Sequence, residues 1–122
     1  MKRFCIKIYS EGGQGIKSMI DKLGEDLENH TFLNKYFTTS VVKYDSIIKG
    51  GTVEANFIIS KEKDLSPFFD KANLCVILKK DIQDTIENED LIKIKDFKRE
   101  DIKELKGQII NKIEKFFEKE NN

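Results

Sequence analysis

Residues 4–15 read FCIKIYSEGGQG, an alternating apolar run that ends in three glycines and a glutamine, and an amphipathic pattern starts at the next residue. Glycine tolerates a positive φ and admits close approach, so Gly12, Gly13 and Gly15 predict a tight strand-to-helix turn with outward-facing amides. Upstream, Phe4, Ile6 and Ile8 alternate with Cys5, Lys7 and Tyr9. Downstream, Ile16, Met19, Ile20, Leu23 and Leu27 recur at helical spacing, with Gly24 weakening the helix but leaving its pattern intact.

The rest of the chain supplies partners for that unit. Residues 36–42 and 52–60 are rich in β-branched and aromatic side chains and read as strands. The segment between them is too short for the helical crossover that parallel neighbours require, so the two pair antiparallel and the sheet is mixed. Residues 61–71 hold the single proline, Pro67, and predict a polar connection with one helical turn around Phe68 and Phe69. The run LCVIL at 74–78 suits a strand covered on both faces. Charge then dominates to residue 90, a short strand is expected at 91–95, and Ile102, Leu105, Ile109, Ile110, Ile113, Phe116 and Phe117 stripe a terminal helix. The order β-α-β-β-(α)-β-β-α predicts an α/β fold, a three-layer α/β/α sandwich with a small mixed β-sheet, and 122 residues predict one domain over 1–122.

Composition narrows the function. Basic and acidic residues balance at 22 each, which gives no overall field for nucleic acid or an anionic membrane. No apolar run approaches the roughly 20 residues of a membrane span, and the first residues carry no secretory pattern, so a cytoplasmic location is expected. Cys5 and Cys75 stand singly in strand patterns without a CxxC or a nearby histidine, which predicts buried free thiols and no metal site on this chain.

The glycine turn excludes two common chemistries. A dinucleotide fingerprint needs G-x-G-x-x-G, and here Ser10 stands at the first glycine, Glu11 puts negative charge where a pyrophosphate would sit, and Asp45 comes late for a ribose contact. A Walker loop lacks its frame, although Lys17 and Ser18 follow Gly15. The glycines serve a sharp turn as readily as a ligand, and the Gln14 amide serves a partner chain or its own turn. Lys49 reads as a solvated lysine or an anion contact, and Tyr44 as a packed ring with an exposed hydroxyl. His30 reads as a surface residue, and one member of each pair Phe68-Phe69 and Phe116-Phe117 is expected to face outward, suiting a subunit interface.

Gly12-Gly13-Gln14-Gly15 after the first strand, followed by Tyr44, Lys49-Gly50-Gly51 and the strand TVEANFIIS, resembles the gamma subunit of 2-oxoacid:ferredoxin oxidoreductases, a family that includes the pyruvate, 2-ketoisovalerate, 2-oxoglutarate and indolepyruvate enzymes. In that family the loop commonly reads GxGGQG and the second motif resembles YGPExRGG. The passage FFDKANLCVILKK is also similar, with Asn73 where an aspartate is usual. Ser10 replaces a glycine, Asp45-Ser46-Ile47 replaces Gly-Pro-Glu, and Lys49 replaces an arginine, losing a planar fork for anions. The resemblance covers roughly residues 3–80, and the chain looks like a shortened or divergent gamma domain.

The resemblance implies a noncatalytic subunit of a complex that oxidatively decarboxylates a 2-oxoacid, forms acyl-coenzyme A and reduces ferredoxin. Thiamine diphosphate and iron-sulfur clusters would reside on partner thiamine-binding and ferredoxin-like subunits, with coenzyme A bound by the complex and no cofactor on this chain. Gly12, Gly13, Gln14, Gly15, Tyr44, Lys49, Gly50 and Gly51 would form its ligand or partner surface. Two further readings stand beside this one: a stand-alone phosphate- or nucleotide-binding module, and an assembly protein that kept the fold.

Overall fold

The computed structural model describes residues 3–12, 14–44, 52–63, 66–79 and 90–120. Strand β1 (Arg3–Glu11) is followed by helix α1 (Ile16–Glu28), β2 (Phe37–Tyr44), β3 (Thr52–Ser60), β4 (Leu74–Ile77), β5 (Leu91–Lys93) and helix α2 (Ile102–Glu120). The sheet order is β2-β3-β1-β4-β5. β1 pairs antiparallel with β3 and parallel with β4, while β2 pairs antiparallel with β3 and β4 parallel with β5, so the sheet is mixed as expected.

Period-two alternation assigns the faces. Phe4, Ile6, Ile8, Ala55, Phe57, Ile59, Leu74 and Val76 form one buried cluster with the apolar stripes of both helices. α1 and α2 therefore cover the same face, joined at their rims by Lys106 Nζ to Asp26 Oδ2 at 2.9 Å. On the alternate positions Cys5, Ile58, Cys75 and Ile77 are also buried. Among the described residues, that second face is crossed by the connection near Pro67, whose carbonyl accepts from Asn56 Nδ2 at 2.9 Å.

That bond corrects one expectation. No helical turn forms at Phe68 and Phe69; the segment stays irregular because a buried strand asparagine holds the Pro67 carbonyl, and a helix would need that carbonyl as its own acceptor. Phe68 is left 54% exposed. At the other aromatic pair Phe117 is fully buried and Phe116 packs its ring on Phe4 at 5.0 Å. No helix among the described residues is long and apolar enough to cross a membrane.

Both cysteines are free and buried. Burial pushes their thiols above the ordinary 9.0, with Arg3 and Lys7 offsetting part of the rise, and burial followed by the Glu54 carboxylate raises the Tyr9 phenol. Each group ionises more readily in the unfolded chain. The stability tied to the neutral forms is complete below about pH 9 and is lost as pH rises through the folded values. Denaturant midpoints are expected to stay level to about pH 9 and fall above it; a midpoint that rises there would contradict this assignment.

His30 is better anchored than its sequence context suggests. Its Nε2 lies 2.9 Å from Glu114 Oε1 on α2, and its Nδ1 accepts from the Phe32 and Leu33 amides at 3.2 and 3.1 Å. With Nδ1 accepting, the proton sits on Nε2 and is donated to the carboxylate. The ring thus ties the end of α1 to α2. His30→Ala is expected to cost about 1–2 kcal/mol, with His30→Asn recovering part because its Oδ1 can cap the same amides. Equal loss in both variants, measured by urea unfolding, would contradict the capping role.

Candidate functional site

β1 ends at Glu11, Gly12 makes the turn, and α1 starts after Gly15, which sits in the left-handed region at φ 81° and ψ 25°. Among the described residues Gly15 alone of the glycines has a positive φ. A Cβ there would lie 3.3 Å from Ile102 Cδ1 and 3.7 Å from Arg99 Cγ, so the start of α2 presses directly on this turn. Gly12 meets nothing within 4 Å and has no positive φ. Conformational need and close packing thus coincide at Gly15.

Gln14 braces the turn from both sides. Its Oε1 accepts from the Glu11 amide at 2.8 Å, and its Nε2 donates to the Phe97 carbonyl at 3.3 Å. Of the two uses open to this side chain, the structure shows the internal one. Gln14→Ala is expected to lower stability by about 1–2 kcal/mol, and Gln14→Glu at least as much, since a carboxylate satisfies Glu11 but faces the Phe97 carbonyl without a proton to give. Unchanged thermal melting in both variants would assign the amide to an external ligand instead.

A cleft of about 170 Å³ opens beside the turn, lined by Glu11, Gly15, Ile16, Lys17, Ser18 and Arg99 along with Val53. The first turn of α1 has no side-chain cap and no acidic residue. Its amides and dipole therefore favour negative charge at the cleft, alongside Lys17 and Arg99, while Glu11 opposes it.

The end of β1 that enters the glycine turn and the start of β3 meet at one end of the sheet. Glu11 is paired with Thr52, which directly follows Gly51, and Ser10 with Val53, which in turn pairs with Tyr44. Gly13, Lys49, Gly50, Gly51 and the stretch 45–47 lie outside the described residues, as does the side chain of Tyr44. Ser10, where the resembling family has glycine, is fully buried, and its Oγ has no hydrogen-bond partner among the described residues.

Lys79 was missed by the sequence reading. It follows β4 at this same end and is buried, and its Nζ donates to Thr52 Oγ1 at 2.7 Å. A lysine straight after the LCVIL run was the available signal, because a chain leaving a buried strand at the carboxyl end enters the crevice where α/β sheets carry their ligands.

The fold of this mixed sheet and its helices is shared with solved 2-oxoacid:ferredoxin oxidoreductases. The chain is similar to the 2-oxoglutarate:ferredoxin oxidoreductase of Magnetococcus marinus, solved with 2-oxoglutarate, coenzyme A and succinyl-CoA bound, at 19% identity and TM-score 0.59 over 76% of this chain and 16% of that one. It is also similar to the gamma subunit of a keto/oxoacid ferredoxin oxidoreductase from Geobacter sulfurreducens PCA, at 17% identity and TM-score 0.51 over 76% of this chain and 51% of that one. No protein-family model matches the sequence, and no curated protein matches it. At these identities the likeness establishes the fold, and the chain spans only part of the length of either neighbour.

Proposed function

We propose that residues 1–122 act as a gamma-type domain of a 2-oxoacid:ferredoxin oxidoreductase, a noncatalytic cytoplasmic subunit that works only in company with thiamine-binding and ferredoxin-like chains. One observation carries this reading: the GGQG turn and the strand that follows Lys49-Gly50-Gly51 arrive at one sheet end, in a fold shared with such enzymes. The complex would decarboxylate a 2-oxoacid, form its acyl-coenzyme A and pass the electrons to ferredoxin, with thiamine diphosphate and iron-sulfur clusters on the other chains. Gly12, Gly13, Gln14, Gly15, Tyr44, Lys49, Gly50 and Gly51 would shape the surface offered to those chains or to coenzyme A. Because the Gln14 amide is engaged within the turn, its part would be to hold that surface in shape.

Affinity purification of the tagged protein from its own cells under anaerobic conditions tests this directly. Co-elution of thiamine-diphosphate and iron-sulfur chains is the expected result, and elution alone would overturn the proposal. A stand-alone phosphate-binding or assembly module is the second reading, favoured by the cleft that gathers Lys17, Ser18 and Arg99 at the uncapped start of α1. Thermal stabilisation of the isolated protein by phosphate or nucleotides would support the phosphate-binding form.

A further inference from the structure

Among the described residues the sheet's two edges are unequal. β5 offers three residues, whereas β2 offers eight, FTTSVVKY, with β-branched residues at Thr38, Thr39, Val41 and Val42 and a single charge. An edge strand of this kind presents a row of backbone donors and acceptors without the devices that usually blunt it, such as proline, alternating charge or brevity. The chemistry that satisfies such a row is another extended strand.

We propose that the strand is β2 of a second copy, paired antiparallel about a two-fold axis through Ser40, so that two five-stranded sheets become one. The faces of β2 decide this register. Val42 packs with the helix-side core, so Phe37, Thr39, Val41 and Lys43 lie on the other face. Directly opposed residues in an antiparallel pair point to the same side, which requires the axis to pass through a residue and not between two. An axis through Val41 would leave Phe37 beyond the partner's last strand residue. With the axis through Ser40, Phe37 faces Lys43 of the second copy, Thr38 faces Val42 and Thr39 faces Val41, and no like charges oppose each other.

The aromatic side chains carry the argument further. Phe37 and Phe68 are the large apolar residues left exposed among the described residues, at 42% and 54%. Within one copy they belong to opposite ends of β2, because Lys43 Nζ lies 4.8 Å from the Phe68 ring and Lys43 is six positions from Phe37. The proposed register carries Phe37 of one copy to Lys43 of the other, and hence beside Phe68. Each aromatic exposed in the monomer then meets the other across the axis, twice over, with a lysine between them in cation–π contact.

Sedimentation equilibrium from about 1 μM to about 1 mM is expected to show a concentration-dependent dimer. Phe37→Lys places two lysines opposite each other and is expected to shift the dissociation constant at least tenfold with an unchanged far-UV spectrum, while Phe37→Glu, now facing Lys43, retains the dimer. Mild oxidation is expected to link Ser40→Cys chains into covalent dimers and to leave Val41→Cys chains unlinked; Cys5 and Cys75 are buried and do not compete. A monomer throughout the concentration range, a dimer indifferent to Phe37→Lys, or linkage at Val41→Cys in preference to Ser40→Cys would each overturn the proposal. None of these readouts depends on the oxidoreductase reading.

Discussion

Phe117→Ala is expected to cost about 3–5 kcal/mol, the range for emptying a large aromatic site in a core. Phe117 is fully buried near the end of α2, stacks on Tyr36 with ring centroids 4.2 Å apart, and meets Phe116 edge-on at 5.1 Å. Its loss would open a cavity at the junction of α2 and the segment that leads into β2, and would remove a stacking contact worth about 0.5–1.5 kcal/mol beyond buried area. Against a total stability of roughly 5–15 kcal/mol for a single domain, that is a large share. Phe117→Leu should lose clearly less, because the cavity is partly refilled. Urea midpoints read by circular dichroism check this, and an alanine variant within about 1 kcal/mol of the parent would show that the site collapses around the gap.

Gly15→Val is expected to be the most damaging substitution at the turn, with a loss of about 2–4 kcal/mol. Two costs add there. A φ of 81° is a left-handed conformation that a β-branched residue resists, and the new Cβ would stand 3.3 Å from Ile102 Cδ1. The costs separate experimentally. Ile102→Val removes the obstructing Cδ1 but leaves the dihedral, so a double-mutant cycle with Gly15→Ala reads the steric part as a coupling energy. Gly15→Asn, better tolerated in this conformation, should lose less than Gly15→Ala. Equal losses for asparagine, alanine and valine would remove the left-handed conformation as the cause.

Both variants concern features whose legibility in the sequence differed. The stripe ending at Phe117 was plain, because an apolar period of 3.6 residues states which face is buried. The same holds for the alternation of β1 and β3 and for the LCVIL run of β4. The brevity of the chain between β2 and β3 was enough to foresee their antiparallel pairing. Gly15 was visible as one of three candidate glycines, but only the folded chain, with its positive φ there and Ile102 and Arg99 packed against it, distinguishes it from Gly12. The partners of Gln14 and His30 were out of reach, since Phe97 and Glu114 lie 83 and 84 positions away along the chain. The irregular course at Phe68 depends on a buried asparagine in another strand. Local patterns encode which face is apolar; single polar contacts between distant segments carry no local signature.

The Gln14 to Phe97 bond, together with the Ile102 contact at Gly15, makes the first turn of the domain depend on residues more than 80 positions later in the chain. A nascent chain that has not yet exposed residues 97–102 can form β1 and α1 as separate pieces but cannot lock the junction between them. Contacts of such long sequence separation form late, because the intervening loop must close first. A surface built on this turn would therefore be presented only once residues 97–102 have packed against it, so that recognition at the glycine end also reports that this long-range packing is in place.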